Sequence, residues 1–332
     1  MGNKGKILLC LIVWVGLFLL SLQGGASAYG ILDYGRLFKG EDEVLMTILM
    51  DIRLPRVLVV LLTGAALSAA GVMCQGVFRN PLASPTIIGT SSGSAAAAAL
   101  MFYSGLATAH WLVLPMAAFV GGGVTTLFLL ALVRVRKLYD VQSLLLVGVA
   151  LNAFFGALTT LIVSLSLEDL EQMRGVMGWL MGGFNAVGWD HVVMGVFPIA
   201  LGLVLAWPLC LRLDVLALGE GVAQTLGVDT SRLKVLCVLV VALLVGTAVG
   251  MAGAIGFVGL VIPHLTRMIV GARHRILLPV SMVNGMSLLL GADLIARTVR
   301  APLELQVGVL VALAGAPFFF WLLMNHTKEA HR

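Results

Sequence analysis

Apolar runs of about 20 residues recur from one end of this 332-residue chain to the other. As a helix, each run is long enough to cross a hydrocarbon layer of about 30 Å. Only 11% of the residues are charged, whereas a soluble domain carries about 25%. The chain therefore has too few charges to cover a water-facing surface. The sequence predicts an all-α protein, a polytopic transmembrane helical bundle.

Breaks at Pro, Gly and charged residues divide the chain into ten candidate helices. The eighth is too short to cross a membrane alone, so we predict a half-helix or a short return segment. Small residues in the second helix (Gly64, Ser68 and Gly71) predict close packing against its neighbours. The candidate helices lie at about 6–28, 54–77, 86–104, 111–133, 143–167, 191–211, 234–253, 258–269, 276–297 and 304–324.

The first apolar run leaves two readings of the N-terminus open. It extends from Ile7 to Leu22 and precedes Ala26-Ser27-Ala28, which imitates a signal-peptidase site. The run is at the long end for a signal peptide, so we predict a retained first helix, with a cleaved leader as the alternative.

The distribution of charge predicts which helix ends face the cytoplasm. With the N-terminus inside, the 21 Lys and Arg residues divide into 14 cytoplasmic and 7 outside. Positive residues are in excess on the cytoplasmic side of membrane proteins. We therefore expect both termini in the cytoplasm and an even number of crossings. The basic residues are spread over the span ends, which argues against a nucleic-acid partner despite the net charge of +5.

The chain lacks the sequence motifs of an enzyme active site and of an ATPase. Nothing matches the phosphate-binding loop G-x-x-x-x-G-K-[ST], and the six histidines form no spaced ligand cluster. We predict no catalytic residues, no metal site and no bound cofactor, so uphill transport would need an ion gradient or a separate ATPase. Four isolated cysteines are predicted to be free thiols in apolar surroundings: Cys10, Cys74, Cys210 and Cys237.

Acidic residues are nearly absent from the predicted helix interiors. Proton relays need titratable groups there, so this pattern argues against a proton-driven carrier. Asp293 is the best candidate for such a group, but Arg297 follows it at i+4, and we predict a local ion pair between them.

Two polar segments at opposite faces stand out as candidate contact sites. The longest cytoplasmic connection, 212–234, reads RLDVLALGEGVAQTLGVDTSRLK and predicts two short helices joined at Gly219. We interpret it as a partner-docking element rather than a plain linker, because its apolar residues have no membrane to cover them. On the outer face, the arginines of RLPR (53–56), Arg297 and Arg300 contradict the inward preference of positive charge. They are either snorkelling anchors or a cluster that binds the carboxylates of an outside partner.

These segments together resemble the permeases of bacterial ABC importers for iron–siderophores, haem and cobalamin, the FecCD or BtuC type. The similarity extends from about residue 45 to 324, in order. The segments that carry it are RLPRVLVVLLTGAALSAAGVMCQGVFRNPLASPTIIGTSSGSAAA, LLLVGVALN, WLMGGF, VLALGEGVAQTLGV, GAIGFVGLVIPHLTRMIVG, LLGADLIAR and ELQVGVLVALAGAPFFFWLL.

The resemblance implies a type II importer permease of about ten helices, with residues 1–332 forming a single permease domain. Its expected partners are a second permease subunit (a homodimer), two cytoplasmic ATPases that use ATP and Mg, a periplasmic binding protein and a metal-chelate substrate. The implied activity is import of an iron–siderophore or haem across the bacterial inner membrane by ATP-driven alternating access. A cobalamin permease is the alternative, and an ion-coupled secondary transporter and an intramembrane enzyme are the hypotheses from other classes.

The resemblance also implies roles for individual residues. The ATPase-coupling residues would lie within about 214–229, binding-protein docking would use three arginines, and two short segments would form the cytoplasmic gate. The cobalamin permease has two adjacent residues with small hydroxyl side chains at the second gate segment, whereas this chain has Val-Gln-Ser at 141–143. The implied residues are Leu216, Leu218, Gly219, Glu220, Ala223, Leu226 and Gly227 for coupling; Arg53, Arg56 and Arg297 for docking; and Asn80, Pro81, Leu82, Val141, Gln142 and Ser143 for the gate.

Overall fold

The computed structural model describes residues 2–24, 43–136, 140–167, 169–185 and 187–329, and these residues form an all-helical bundle. Seven of the helices (α1, α2, α4, α5, α7, α9 and α11) are long and apolar enough to cross a membrane. The helices are α1 (Asn3–Gln23), α2 (Glu43–Phe78), α3 (Thr90–Tyr103), α4 (Val113–Arg136), α5 (Val141–Leu165), α6 (Leu170–Leu180), α7 (Trp189–Leu216), α8 (Glu220–Thr225), α9 (Thr230–Ala252), α10 (Val258–Val270), α11 (His274–Thr298) and α12 (Val307–Glu329).

Each predicted span corresponds to a helix, and α10 has only 13 residues. The predicted second helix, about 54–77, is confirmed as the α-helical part of α2, Leu54–Phe78. Helical structure also precedes it from Glu43, outside the prediction. Pro55 lacks a main-chain N–H, and its ring conflicts with the carbonyl of an α-helical preceding turn. The chain continues through this point as a π-helix, Ile48–Arg53, in which the N–H of Leu54 bonds the carbonyl of Leu49.

Two further helix boundaries differ from the prediction. No helix is predicted between 167 and 191, but this stretch contains α6. Asp169 caps the start of α6, since its side chain accepts hydrogen bonds from the N–H groups of Glu171 and Gln172. An acidic cap before an amphipathic stretch was the signal for this helix. The predicted pair of short helices in 212–234 is also wrong, because α7 continues to Leu216 and only α8 is separate.

Helix α2 lies at the centre of the bundle and contacts α7, α9, α10 and α11. Its small residues permit close approach, as the sequence predicted. A Cβ on Gly71 would overlap the backbone of Gly259 in α10, and a Cβ on Gly64 would lie 2.7 Å from the carbonyl oxygen of Gly285 in α11. Peripheral α1 packs mainly against α11. Retention of this helix stays a prediction, because residues 26–28 lie outside the described part of the chain.

The two ends of α2 define the two ends of the bundle. Arg56 lies near the start of its α-helical part, Leu54–Phe78, and Gly76 near its end is close to Leu213 of α7 and His274 of α11. The 20 residues between Arg56 and Gly76 span about 30 Å. The docking arginines and the predicted coupling segment are therefore at opposite ends of the bundle. The four cysteines are free, and all but the half-buried Cys10 are buried.

Candidate functional site

The segment 216–227, here called the coupling knob, projects from the end of α7. Gly219 adopts a φ of 116°, a left-handed conformation that lets the chain turn sharply into α8. Apolar side chains cover the outer surface of the knob: Leu218 is 65% exposed, Val222 47% and Leu226 62%. Leu216 and Ala223 are instead fully buried and pack the knob against the bundle. The predicted coupling residues thus divide into exposed and anchoring groups.

Glu220 binds the bundle by an ion pair that its motif did not indicate. Its Oε1 lies 2.7 Å from Nζ of Lys234 in α9, and the Lys234 side chain is only 3% exposed. A second bond joins α8 to the start of α9, since Nε2 of Gln224 donates to Oγ1 of Thr230 at 3.3 Å. These bonds join α8 to α9. Glu220 therefore has a positioning role within the chain.

The first predicted gate segment is a tight turn after α2. Arg79 closes the helix with a φ of 48°. The side-chain Oδ1 of Asn80 then accepts a hydrogen bond from the N–H of Leu82 at 2.9 Å, and the carbonyl of Asn80 accepts one from Ala83. Such a side-chain-to-backbone bond holds a turn in a fixed shape. Pro81 and Leu82 are half-buried, whereas Asn80 is exposed.

The second predicted gate segment, Val141 to Ser143, is the first turn of α5. Asp140 caps it, because Oδ2 accepts a hydrogen bond from the N–H of Ser143 at 2.9 Å. Bonds from the side chain and main chain of Ser143 hold the pKa of Asp140 below its ordinary value. Gln142 is exposed, and Val141 and Ser143 are half-buried.

The two gate segments are connected through α5. The turn Pro85–Ile88 follows the first segment, and Nδ2 of Asn152 donates to the carbonyl of Thr86 at 3.0 Å. Gly148 allows the contact, since a Cβ there would overlap the carbonyl of Ile87. The turn that follows one segment is therefore in direct contact with the helix that begins with the other.

At the opposite end of the bundle, Arg56 joins α11 to the residues before α12. Its Nη1 and Nη2 each lie 2.9 Å from one carboxylate oxygen of Glu304, a bidentate pair. Its Nε and Nη2 also donate to Oδ1 of Asp293, at 3.0 and 2.8 Å. Asp293 is fully buried. Arg297 Nε is 3.2 Å from Asp293 Oδ2 without forming a hydrogen bond, which confirms the predicted i, i+4 ion pair.

Two arginines of the same group hold the end of α1. Arg53 Nη1 donates to the carbonyls of Leu22 and Gln23, at 2.9 and 2.8 Å. Arg297 donates to the carbonyls of Ser21 and Gly24, at 2.7 and 2.8 Å. These carbonyls are at the C-terminus of α1, where the helix dipole favours positive charge.

Arg53, Arg56 and Arg297 are therefore buried side chains with partners inside the chain, between 4% and 7% exposed. The expectation of snorkelling anchors is wrong for these three, and their docking role stays a prediction. The sequence could not reveal Glu304, because 248 residues separate it from Arg56. We call Arg53, Arg56, Asp293, Arg297 and Glu304 the arginine cluster.

A family model described as the FecCD transport family matches residues 10–325, nearly the whole chain. The chain belongs to the FecCD transport family. It is thus a permease of the kind found in ABC importers, and its apolar helices are those of a multi-pass membrane protein.

The relatives of this chain are named for the transport of different compounds. The Fe(3+) dicitrate transport system permease protein FecD of Escherichia coli (strain K12) is 42% identical over 84% of this chain and 85% of its own length. The vitamin B12 import system permease protein BtuC of Klebsiella pneumoniae is 43% identical over 83% of this chain and 82% of its own. The hemin transport system permease protein HmuU of Yersinia pestis is 37% identical, over 87% and 86%.

A solved structure shares the fold over almost its full length. It is described as an inward-facing conformation of a transporter assigned to the metal-chelate ABC type. The TM-score is 0.85 and the sequence identity 34%, with 97% of this chain and 99% of that chain covered. The architecture is therefore that of a metal-chelate ABC permease, which confirms the predicted fold class.

Proposed function

We propose that this chain pairs with a second copy of itself and that the pair forms the path for a metal chelate, an iron–siderophore or haem. Two cytoplasmic ATPases would bind and hydrolyse ATP with Mg, and the chain itself would be non-catalytic. A periplasmic binding protein would deliver the substrate. Both termini would lie in the cytoplasm, as the excess of positive charge at those helix ends indicates.

The coupling knob is the observation that carries this proposal. It presents exposed Leu218, Val222 and Leu226 at one end of a membrane bundle, where a soluble partner can bury them. The Glu220–Lys234 pair fixes the knob to α9, which crosses to the other end. A force applied by an ATPase at the knob would thus reach the interior of the permease.

The two gate segments are the parts of the permease that this force would move. We propose that 80–82 and 141–143 close the cytoplasmic end of the path and move together to open it when the ATPases change state. Their connection through Asn152 and the turn Pro85–Ile88 supports movement as one unit.

The substrate is the least constrained part of the proposal. Relatives named for iron dicitrate, hemin and vitamin B12 are 37–43% identical to this chain, so identity does not separate these ligands. Their common chemistry is a metal held in a large organic chelate. An iron–siderophore or haem is our proposal, and a cobalamin is the second candidate because the BtuC relative is as similar as FecD.

Replacing Leu218 and Leu226 with Asp should uncouple the permease from its ATPase. Both side chains are more than 60% exposed, so the bundle should fold normally. Central apolar contacts of an interface cost about 2 kcal/mol or more when removed, which lowers affinity at least tenfold. Binding of the purified ATPase to the permease, together with the ATPase rate of the complex, measures the effect.

Val135→Asp is the matched control, since Val135 is a 77% exposed apolar residue at the end of α4, outside the knob. It should leave ATPase binding unchanged. Normal ATPase binding by the Leu218→Asp/Leu226→Asp variant would remove the knob from the ATPase interface.

Docking of a binding protein at the arginine cluster would require a partner carboxylate to replace Glu304 on Arg56. Asp293 is fully buried, whereas the Glu304 side chain is 28% exposed and within reach of a partner. Glu304→Gln removes one negative charge and the bidentate acceptor. We expect this variant to bind the periplasmic binding protein about tenfold more tightly, as measured by titration in detergent.

The control for this effect is Glu171→Gln, which removes an exposed acidic residue from α6. It should change the affinity little, because Glu171 has no part in the arginine cluster. An unchanged or weaker affinity for Glu304→Gln, or an equal gain for Glu171→Gln, would contradict docking at Arg56. Reversal of Arg56 or Arg297 to Glu is a poorer test, since it would bring a second carboxylate beside buried Asp293.

A further inference from the structure

A cavity with charged residues in its lining and an apolar groove adjoin at the end of the bundle where α1 begins. The cavity, of about 580 Å³, lies between the end of α7 and the start of α11, beside the coupling knob. Its charged lining residues are Asp214, Arg273 and Arg275, and the others are Leu211, Ala217, Ala272 and Ile276. The groove, of about 290 Å³, lies between α1 and α11. Arg275 and Ile276 line both spaces, so the cavity continues into the groove along α11. The groove is otherwise lined by Ile7, Cys10, Leu11, Pro279, Val280 and Val283.

The cavity has a positive rim that the bundle itself does not neutralise. Arg273 and Arg275 are exposed, and neither forms an ion pair with any residue that the structure describes. Asp214 is occupied elsewhere: its Oδ1 accepts from the main-chain N–H of His274 at 2.9 Å and lies 2.6 Å from Nδ1 of that residue. The lining of the cavity thus carries two guanidinium groups and one carboxylate, and that carboxylate is already bonded to His274. The excess positive charge makes the cavity suited to an anion.

The groove opens at the outer surface of the bundle, beside a helix of which only 6% of the apolar span is buried. Two of its own lining residues are exposed, Leu11 at 40% and Ile276 at 37%. A ligand that fills both spaces must therefore carry an anionic group at one end and an alkyl chain at the other. A soluble anion would leave the apolar groove empty, and a neutral lipid would leave both arginines without a partner.

We propose that this site binds an anionic phospholipid. Its phosphate would contact Arg273 and Arg275, whose planar guanidinium groups suit bidentate phosphate recognition. One acyl chain would lie along the groove between α1 and α11. Such a lipid would connect α1, α7 and α11 at the end where Lys6 Nζ donates to the carbonyl of Ile269 at 3.1 Å. It would thereby hold peripheral α1 against the bundle.

Binding can be measured by native mass spectrometry on the full chain in detergent, with palmitoyl-oleoyl phosphatidylglycerol as the probe. We expect at least tenfold weaker binding of phosphatidylcholine with the same acyl chains. The variant Arg273→Gln/Arg275→Gln should lose about thirtyfold in affinity for phosphatidylglycerol. Glycerol 3-phosphate and inorganic phosphate, which lack the acyl chains, should compete at least a hundredfold more weakly than the lipid.

The matched control is Arg134→Gln/Arg136→Gln, two exposed arginines at the end of α4 that line neither space. It should leave lipid binding unchanged, and an equal loss there would reduce the effect to diffuse surface charge and overturn the site. Equal competition by free phosphate would overturn the assignment to a lipid. Unchanged lipid binding with loss of ATPase binding in Arg273→Gln/Arg275→Gln would overturn it in favour of a protein contact.

Discussion

Asp293→Asn should lower the free energy of unfolding by about 3–5 kcal/mol, the range for breaking one partner of a buried ion pair. Asp293 is fully buried and lies between the guanidinium groups of Arg56 and Arg297. Arginine does not lose its proton in proteins, so the amide would leave two buried positive charges with Glu304 as their only remaining carboxylate in the arginine cluster. Unfolding in detergent with a denaturing detergent as titrant measures the change.

Asp51→Asn is the matched control, because Asp51 is an exposed carboxylate at the same end of the bundle, on the π-helical turn of α2. Its effect should stay below about 0.5 kcal/mol. Equal stability of Asp293→Asn and the wild type would show that the buried arginines find other partners, contrary to the role assigned to the arginine cluster.

Gly71→Leu should prevent the bundle from assembling. A Cβ at this position would overlap the backbone of Gly259, so α2 and α10 would have to separate. Helices in a membrane associate through close backbone packing at small residues, and this contact would be lost. We expect little monodisperse protein after purification in detergent, measured by size-exclusion chromatography of equal cell masses.

Gly16→Leu in α1 provides the comparison, since no atom lies within 4 Å of the position of its Cβ. It inserts the same side chain into a membrane helix without a steric conflict, and the yield should equal that of the wild type. Normal yield and elution of Gly71→Leu would mean that the α2–α10 contact is not required for assembly.

The features that local sequence determines were predictable. Apolar run lengths located every predicted span, and the small residues of α2 indicated its close contacts with α10 and α11. The Asp293–Arg297 pair follows from helical spacing. The exposure of apolar residues in the coupling knob was predictable because the segment lies in a cytoplasmic connection, where no membrane covers them.

The features that depend on distant parts of the chain were not predictable. Arg56 meets Glu304 across 248 residues, so a docking residue inferred from a motif proved to be buried and paired. The Glu220–Lys234 pair depends on how α8 folds back onto α9. Pro55 lies in the first turn of the α-helical Leu54–Phe78, as local rules allow, but the sequence did not indicate the π-helical turn Ile48–Arg53 that extends α2 before it.

The central claim is that this permease transports only when an ATPase acts on it. The most direct measurement is uptake of a radiolabelled iron chelate into liposomes that contain the permease, with and without its ATPase and ATP. A periplasmic binding protein is supplied outside in both cases. We predict uptake only with both the ATPase and ATP. Uptake driven by a pH gradient in liposomes that lack the ATPase would contradict this account and favour an ion-coupled carrier.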